Sequence, residues 1–317
     1  MNTPFFSHLH PWTWLVLAAL LLGLLTRFVL AQRQMKHVWQ NRHAVPAAFA
    51  DHIDLQSHQK AAAYTLAKTQ LSTWQAFWGA ATFVGWTWLG GLEALNGMLT
   101  LAMGSGLMQQ WVLLGLVTLI SSLLHLPLAW YQVFHIETRF GFNRQTLRLW
   151  LIDQVKSSLV MLVLGGPLAA AVLWLMHHQA MWWLTAWLLW VAFSVLMMVI
   201  YPTWIAPRFN RFTPMPEGPV KTRIEQLMQR CGFASKGLYV MDGSKRSGHG
   251  NAYFTGFGPA KRVVFFDTLL ERLDADEIEA VLAHELGHFK KNHLKKRLML
   301  TFGLSALGFA LDRKSVV

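Results

Sequence analysis

The sequence predicts a mainly α protein, a polytopic α-helical membrane chain with a small cytoplasmic α+β subdomain that bears a His-Glu-x-x-His helix. Three observations predict it. No Asp, Glu, Lys or Arg lies between Lys156 and Arg208, and uncharged apolar runs of about 20 residues are what a bilayer core requires. An apolar share of 54% with 16 tryptophans is too rich for a soluble domain of average composition. Residues 205–297 are the one polar block long enough for an independent fold, and it contains "VLAHELGHFKKNH".

Spans are expected at Trp12–Leu30, Gln70–Leu92, Leu107–Val133, Ser157–Met176 and Met181–Tyr201. Residues 1–204 then form a membrane region of five helices, with cytoplasmic connectors at 32–69 and 134–156. The short connectors Met1–Pro11, Glu93–Gly106 and His177–Ala180 carry no Lys or Arg. The opposite side carries Arg33, Lys36, Arg42, Lys60, Lys68, Arg139, Arg144, Arg148 and Lys156, and residues 205–297 add many more. That asymmetry is a positive-inside signature, which puts the amino terminus outside and the polar segments in the cytoplasm. The formal charge of +12 is therefore orientation signal, with some attraction to anionic membrane lipid. A nucleic-acid partner is not expected, because it would call for basic residues interleaved with exposed aromatics in a recognisable module, and the sequence has none. The first span has no basic n-region and no small-x-small cleavage site, so it is expected to stay as a helix. The single cysteine, Cys231, excludes an intrachain disulfide and is expected to be a small core residue.

Within 205–297, "APRFNRFTPMPEGP" reads as a loop because its prolines and glycine resist regular structure. Val220–Cys231 reads as a helix with Ile224, Leu227 and Met228 on one face. The period then shortens. "GLYVMDG", "NAYFTGFG" and "RVVFFDTLL" read as three strands of a small antiparallel or mixed sheet. A last helix is predicted from about Ala275, with Asp274 as N-cap and Glu277 three residues on, resembling a capping box. Asp276, Glu277 and Glu279 suit the positive end of that helix.

The chemistry lies at the end of this helix. At 100° per residue, His284 and His288 lie within about 40° of each other on one face. Two imidazoles so placed can bind one Zn²⁺, and Glu285 stands where it can take a proton from a zinc-bound water. The metal would polarise the scissile carbonyl and lower the water's pKa toward about 7. His293 follows five residues after His288, which on a continuous helix is about 140° away, so it is not expected to be a ligand. His249, in the "SGHGN" loop, is expected to be solvated.

These residues resemble the type I CAAX prenyl proteases and their bacterial relatives, a family of integral-membrane zinc metallopeptidases. The matching text is "HQKAAAYTLAK", "GFNRQT", "YPTWIAPRFNRFTPMPEG", "GSKRSGHGNAYFTGFG", "KRVVFFDTLLE" and "VLAHELGHFKKNH", spread from about residue 30 to residue 311. The resemblance implies membrane helices around a large enclosed chamber, with the zinc site facing it from the cytoplasmic side. It implies His284 and His288 as zinc ligands and Glu285 as catalytic base. It also implies that Asn251, Ala252, Tyr253 and Phe254 form a strand that pairs with substrate backbone, although Tyr253 and Phe254 can equally be read as sheet core. The family's third ligand is a downstream glutamate, whereas the only acidic residue after Glu285 here is Asp312.

Leu298–Leu311 reads as the start of a further transmembrane helix, and about 14 residues are too few to cross a bilayer. Residues 312–317, "DRKSVV", translate a string that looks like a sequencing adapter. They are expected to be a non-native tail, with the natural chain continuing beyond Leu311 and supplying the third ligand there. A chain with two of three protein ligands is expected to hold zinc weakly. The leading expectation is thus a zinc endopeptidase of membrane-associated or CAAX-type protein substrates, seen as a bacterial-type fragment from an inner membrane. The competing one is a non-catalytic transporter subunit or scaffold with a degenerate protease domain. Glu93 and His125 would be its functional suspects, as ionisable groups within spans, and the intact motif argues against it.

Overall fold

The computed structural model describes residues 11–233, 237–255 and 262–312. Its membrane part runs through α1 (Pro11–Asn41), α2 (Leu55–Thr87), α3 (Gly91–Met103), α4 (Leu107–Tyr131), α5 (Thr138–Phe140), α6 (Leu147–His178), α7 (Trp182–Ile200) and α8 (Ala206–Phe209). Four described stretches are long and apolar enough to cross a membrane: Thr13–Asn41, Leu107–Phe140, Leu147–His178 and Trp182–Phe209. The expected span at Gln70–Leu92 is not among them. It falls on α2, whose 33 residues give ample length, but Gln70, Ser72, Thr73, Gln75 and Thr82 dilute its apolar face. That helix also stops at Thr87, and Gly90, at φ 77°, turns the chain into α3. Glu93 sits in the first turn of α3.

The chain divides into two compact units. One runs through Ser105 and adds Val112–Gly141; the other takes Gly106–Trp111 and everything from Phe142 onward. In the first, α1 packs along α2. Indole N–H groups find partners between helices: Trp78 donates to the Leu124 carbonyl at 2.9 Å and Trp86 to Ser121 Oγ at 2.8 Å. Past Tyr131 the helix widens into a π-helical turn, Gln132–Glu137. Glu137 at its end accepts the Tyr64 hydroxyl at 2.8 and 2.9 Å, with Lys68 Nζ at 3.9 Å. Burial first, and Glu137 second, raise the Tyr64 phenol well above its ordinary pKa.

In the second unit a mixed four-stranded sheet forms from β1 (Phe212–Pro214), β2 (Leu238–Met241), β3 (Ala252–Thr255) and β4 (Arg262–Phe266). Its order is β1-β2-β4-β3, with β1 antiparallel to β2, β2 parallel to β4 and β3 antiparallel to β4. β4 is central, and Val263, Val264 and Phe265 are all buried, as a strand covered on both faces should be. β1 lies in the stretch expected to be a loop. It pairs through Phe212, Thr213 and Pro214, and an outer strand tolerates proline because one row of its N–H groups has no ladder partner.

Two helices cover the sheet: α9 (Pro219–Arg230) and, after the short α10 (Asp267–Leu270), α11 (Ala275–Lys290). Ile224 and Met228 from α9 and Ile278, Leu282 and Leu286 from α11 close one core with Leu238, Ala252, Val263 and Phe265. Cys231 is exposed, contrary to expectation. The chain leaves α9 there, and Phe233 enters the core in its place. The predicted capping box forms: the Glu277 and Asp276 N–H groups donate to Asp274 Oδ1, both at 2.9 Å, and the Asp274 N–H donates to Glu277 Oε2 at 3.0 Å.

Two sequence-distant stretches hold this subdomain to α6. Arg246 makes a bidentate pair with Asp153 at 2.7 and 3.1 Å and also donates to Asn210 Oδ1 at 2.7 Å. The Gly248 N–H donates to the Phe142 carbonyl at 2.8 Å, and the His249 ring stacks on Phe142 at 4.1 Å. His249 is therefore a half-buried packing residue, not a solvated one. At the far end α12 (His293–Asp312) packs along α7. There Trp187 Nε1 donates to the Phe302 carbonyl and Ser305 Oγ at 3.2 and 3.1 Å. Leu298–Leu311, expected to begin a span, lies within α12, and the rest of the expected tail, residues 313–317, lies outside the described residues.

Candidate active site

Helix α11 has two working sides. Its core positions Ile278, Leu282 and Leu286 fall within an arc of about 80°, and His284 and His288 lie together on another flank, with Glu285 between the two sets. The buried side fixes the helix; the histidines are exposed and Glu285 is half-buried. His284 Nε2 and His288 Nε2 stand 3.1 Å apart, with the rings at 80° to each other. Nitrogens held at 2.0–2.1 Å from one tetrahedral zinc would be roughly 3.3 Å apart, so this donor pair fits a shared metal. Among the described residues no group of three or more His, Cys, Asp or Glu side chains converges. The glutamate implied by the resemblance as third ligand has no counterpart there.

His293 is where the expectation needs correcting. The helix does not run on to His293 as assumed: α11 ends at Lys290, and Asn292 takes the left-handed conformation at φ 55°. Its carbonyl then accepts the Lys296 N–H at 3.1 Å, opening α12. The break brings His293 Nδ1 to 2.8 Å from His288 Nδ1. His293 is thus close to the pair, but on the side of His288 that faces away from His284.

β3 runs beside α11 as an edge strand. Ala252 is buried, and Phe254 packs on the core against Phe233 with ring centroids 5.0 Å apart. These two side chains are sheet core, so any role of theirs at the open edge falls to the main chain. The Asn251 carbonyl accepts the Phe266 N–H at 2.9 Å. Antiparallel alternation then aims the main-chain groups of Ala252 and Phe254 away from β4. Asn251 Oδ1 accepts the Ala252 N–H at 2.8 Å. Tyr253 lies on the opposite face, near Met241 and Phe266. Burial, with a smaller contribution from Tyr201, pushes its phenol up to about 12, so it is neutral at ordinary pH.

Of the residues suspected for transport, His125 donates from Nδ1 to the Ser121 carbonyl one turn back, at 2.8 Å. That is a local hydrogen bond within α4.

Fold and site together define a class: helical membrane proteins whose polar α+β subdomain carries a metallopeptidase-type helix beside an open sheet edge. Residues 34–211 match the family model described as CAAX prenyl protease N-terminal, five membrane helices, and residues 214–317 match Peptidase family M48. The chain belongs to the CAAX prenyl protease family of M48 peptidases. It is 38% identical over 264 residues to CAAX prenyl protease 1 of Saccharomyces cerevisiae, covering 79% of this chain and 58% of that protein. The Mus musculus homologue is 33% identical over 329 residues, covering 89% of this chain and 69% of its own length. The crystal structure of S. mikatae Ste24p superposes with a TM-score of 0.86 at 33% identity, covering 98% of this chain and 73% of that one. The chain thus spans little more than half the length of the yeast relative. Membership of the family implies a divalent metal. The bacterial-type placement expected from the sequence finds no support in these matches, whose named relatives are eukaryotic.

Proposed function

We propose that the chain carries part of the zinc site and the substrate strand of a membrane-embedded endopeptidase acting on membrane-associated or CAAX-type protein substrates. One observation carries the reading: the His284 and His288 Nε2 atoms converge to 3.1 Å on a helix that also bears Glu285. The shared family, and relatives whose names are CAAX prenyl protease 1, support the substrate class.

His284 and His288 would hold zinc through Nε2. Bound there, zinc supplies Lewis-acid polarisation of the scissile carbonyl and a water acidified toward a pKa of about 7. Glu285 takes the proton of the attacking water and gives it to the leaving amine nitrogen, so it starts and ends the cycle ionised. β3 receives the substrate as an added strand through the outward carbonyl of Ala252 and the outward main-chain groups of Phe254, which sets register with little side-chain selectivity. Asn251, by holding the Ala252 N–H, shapes the entry to that edge.

The Lys and Arg asymmetry supports an amino terminus outside and the α+β subdomain in the cytoplasm.

Glu285→Gln is expected to lower the rate of peptide cleavage by at least about 100-fold, the usual loss for a general base, while zinc content stays unchanged. A variant retaining more than about a tenth of the activity sinks Glu285 as the base. Peptide substrates N-methylated one residue at a time should show a period-two pattern in KM, because only alternate residues of an added strand face β3. A KM that ignores position would rule out strand pairing. Cys231, exposed and the sole cysteine, reports orientation. A membrane-impermeant maleimide should label it only after the membrane is opened from the cytoplasmic side, and labelling of intact cells would reverse the topology.

A further inference from the structure

His284 and His288 are both exposed, so neighbouring side chains do little to stop either ring from turning about its χ angles. A ligand pair that faces one metal needs its rings held, and metal-ligating histidines generally donate their second ring N–H to a fixed acceptor. In this chain the second nitrogen of His288 meets another histidine. His288 Nδ1 lies 2.8 Å from His293 Nδ1, with ring centroids 5.1 Å apart and the planes at 64°. A contact this short between two ring nitrogens is a hydrogen bond when one of them carries the proton. Ligation through Nε2 needs the lone pair there, which in a neutral imidazole leaves the proton on Nδ1. His288 therefore donates and His293 accepts.

We propose that His293 is a positioning residue, accepting the His288 Nδ1–H and thereby turning His288 Nε2 toward His284. The proposal rests on the metal reading above. It also explains the break after α11. A continuous helix would carry His293 about 140° away from His288, whereas the left-handed Asn292, at φ 55°, lets the chain fold back and bring the ring alongside. The first residue of α12 thus completes the arrangement begun on α11, and α12 is itself held along α7 by the Trp187 hydrogen bonds to Phe302 and Ser305.

The test compares His293→Asn with His293→Leu in the full chain, reading the zinc dissociation constant by chelator competition and folding by thermal melting in detergent. The Oδ1 of asparagine lies where the imidazole Nδ1 stood and can still accept, whereas leucine keeps bulk and accepts nothing. The expected result is zinc binding weakened roughly 10–100-fold in His293→Leu and restored to within a few-fold in His293→Asn. Equal binding by wild type and His293→Leu overturns the proposal and leaves the metal reading standing. So does equal weakening in both variants, which marks a structural role only. Wild-type protein that binds no zinc overturns both. Should His293→Leu fail to fold, the wild-type protein still decides: ¹⁵N spectra of the zinc-loaded chain should show His288 Nδ1 protonated and His293 Nδ1 bare, and a protonated His293 Nδ1 overturns the assignment.

Discussion

A histidine nitrogen binds a metal usefully only if its position is fixed before the metal arrives, and in this chain that constraint falls on one helix. α11 is fixed along its length by Ile278, Leu282 and Leu286, three side chains within 3% of full burial. Its start is fixed by the reciprocal Asp274–Glu277 cap. Its end is fixed by the left-handed turn at Asn292. Burying three large aliphatic side chains contributes about 1.5–3 kcal/mol each, and the cap adds about 1 kcal/mol. The exposed flank with His284 and His288 spends none of the helix's own packing, and so is free for chemistry.

The surroundings follow from the same demand. The sheet beneath α11 is small, and it is attached to α6 as well as to its own core. The Asp153–Arg246 pair is bidentate and only 14–18% exposed on either side chain. Pairs buried to that degree commonly cost several kcal/mol when one partner is removed, because the other charge is left stranded. That pair joins α6 to "SKRSGHGN" and the Phe142–His249 stack joins "GFNRQT" to it, and this loop leads straight into β3. The loop that carries the open strand is thus tied to α6, and the helix that carries the histidines is tied through α12 to α7.

Much of this was legible in the sequence, for local reasons. The amphipathic face of α9, the capping box and the apolar run of β4 are short-range patterns, and each appears where its pattern predicts. What was illegible depends on partners far away. β1 is three residues including a proline, and only β2 makes it a strand. His249 gave no sign of packing because Phe142 lies over a hundred positions earlier. Cys231 was misjudged because Phe233, two residues on, takes the core position. His293 was set aside by treating "HFKKNH" as one helix. The signal was present in Asn292, since asparagine is among the few non-glycine residues that visit the left-handed region readily. The third protein ligand was absent from the reading of this sequence and is absent among the described residues.

The central claim is that the two α11 histidines form one metal site, and X-ray absorption at the zinc edge of the purified, zinc-loaded chain tests it most directly. Two imidazole nitrogens should scatter at about 2.0–2.1 Å, and that scattering should disappear when His284 and His288 are both replaced by alanine. A spectrum without imidazole scattering, or one unchanged by that replacement, would contradict it.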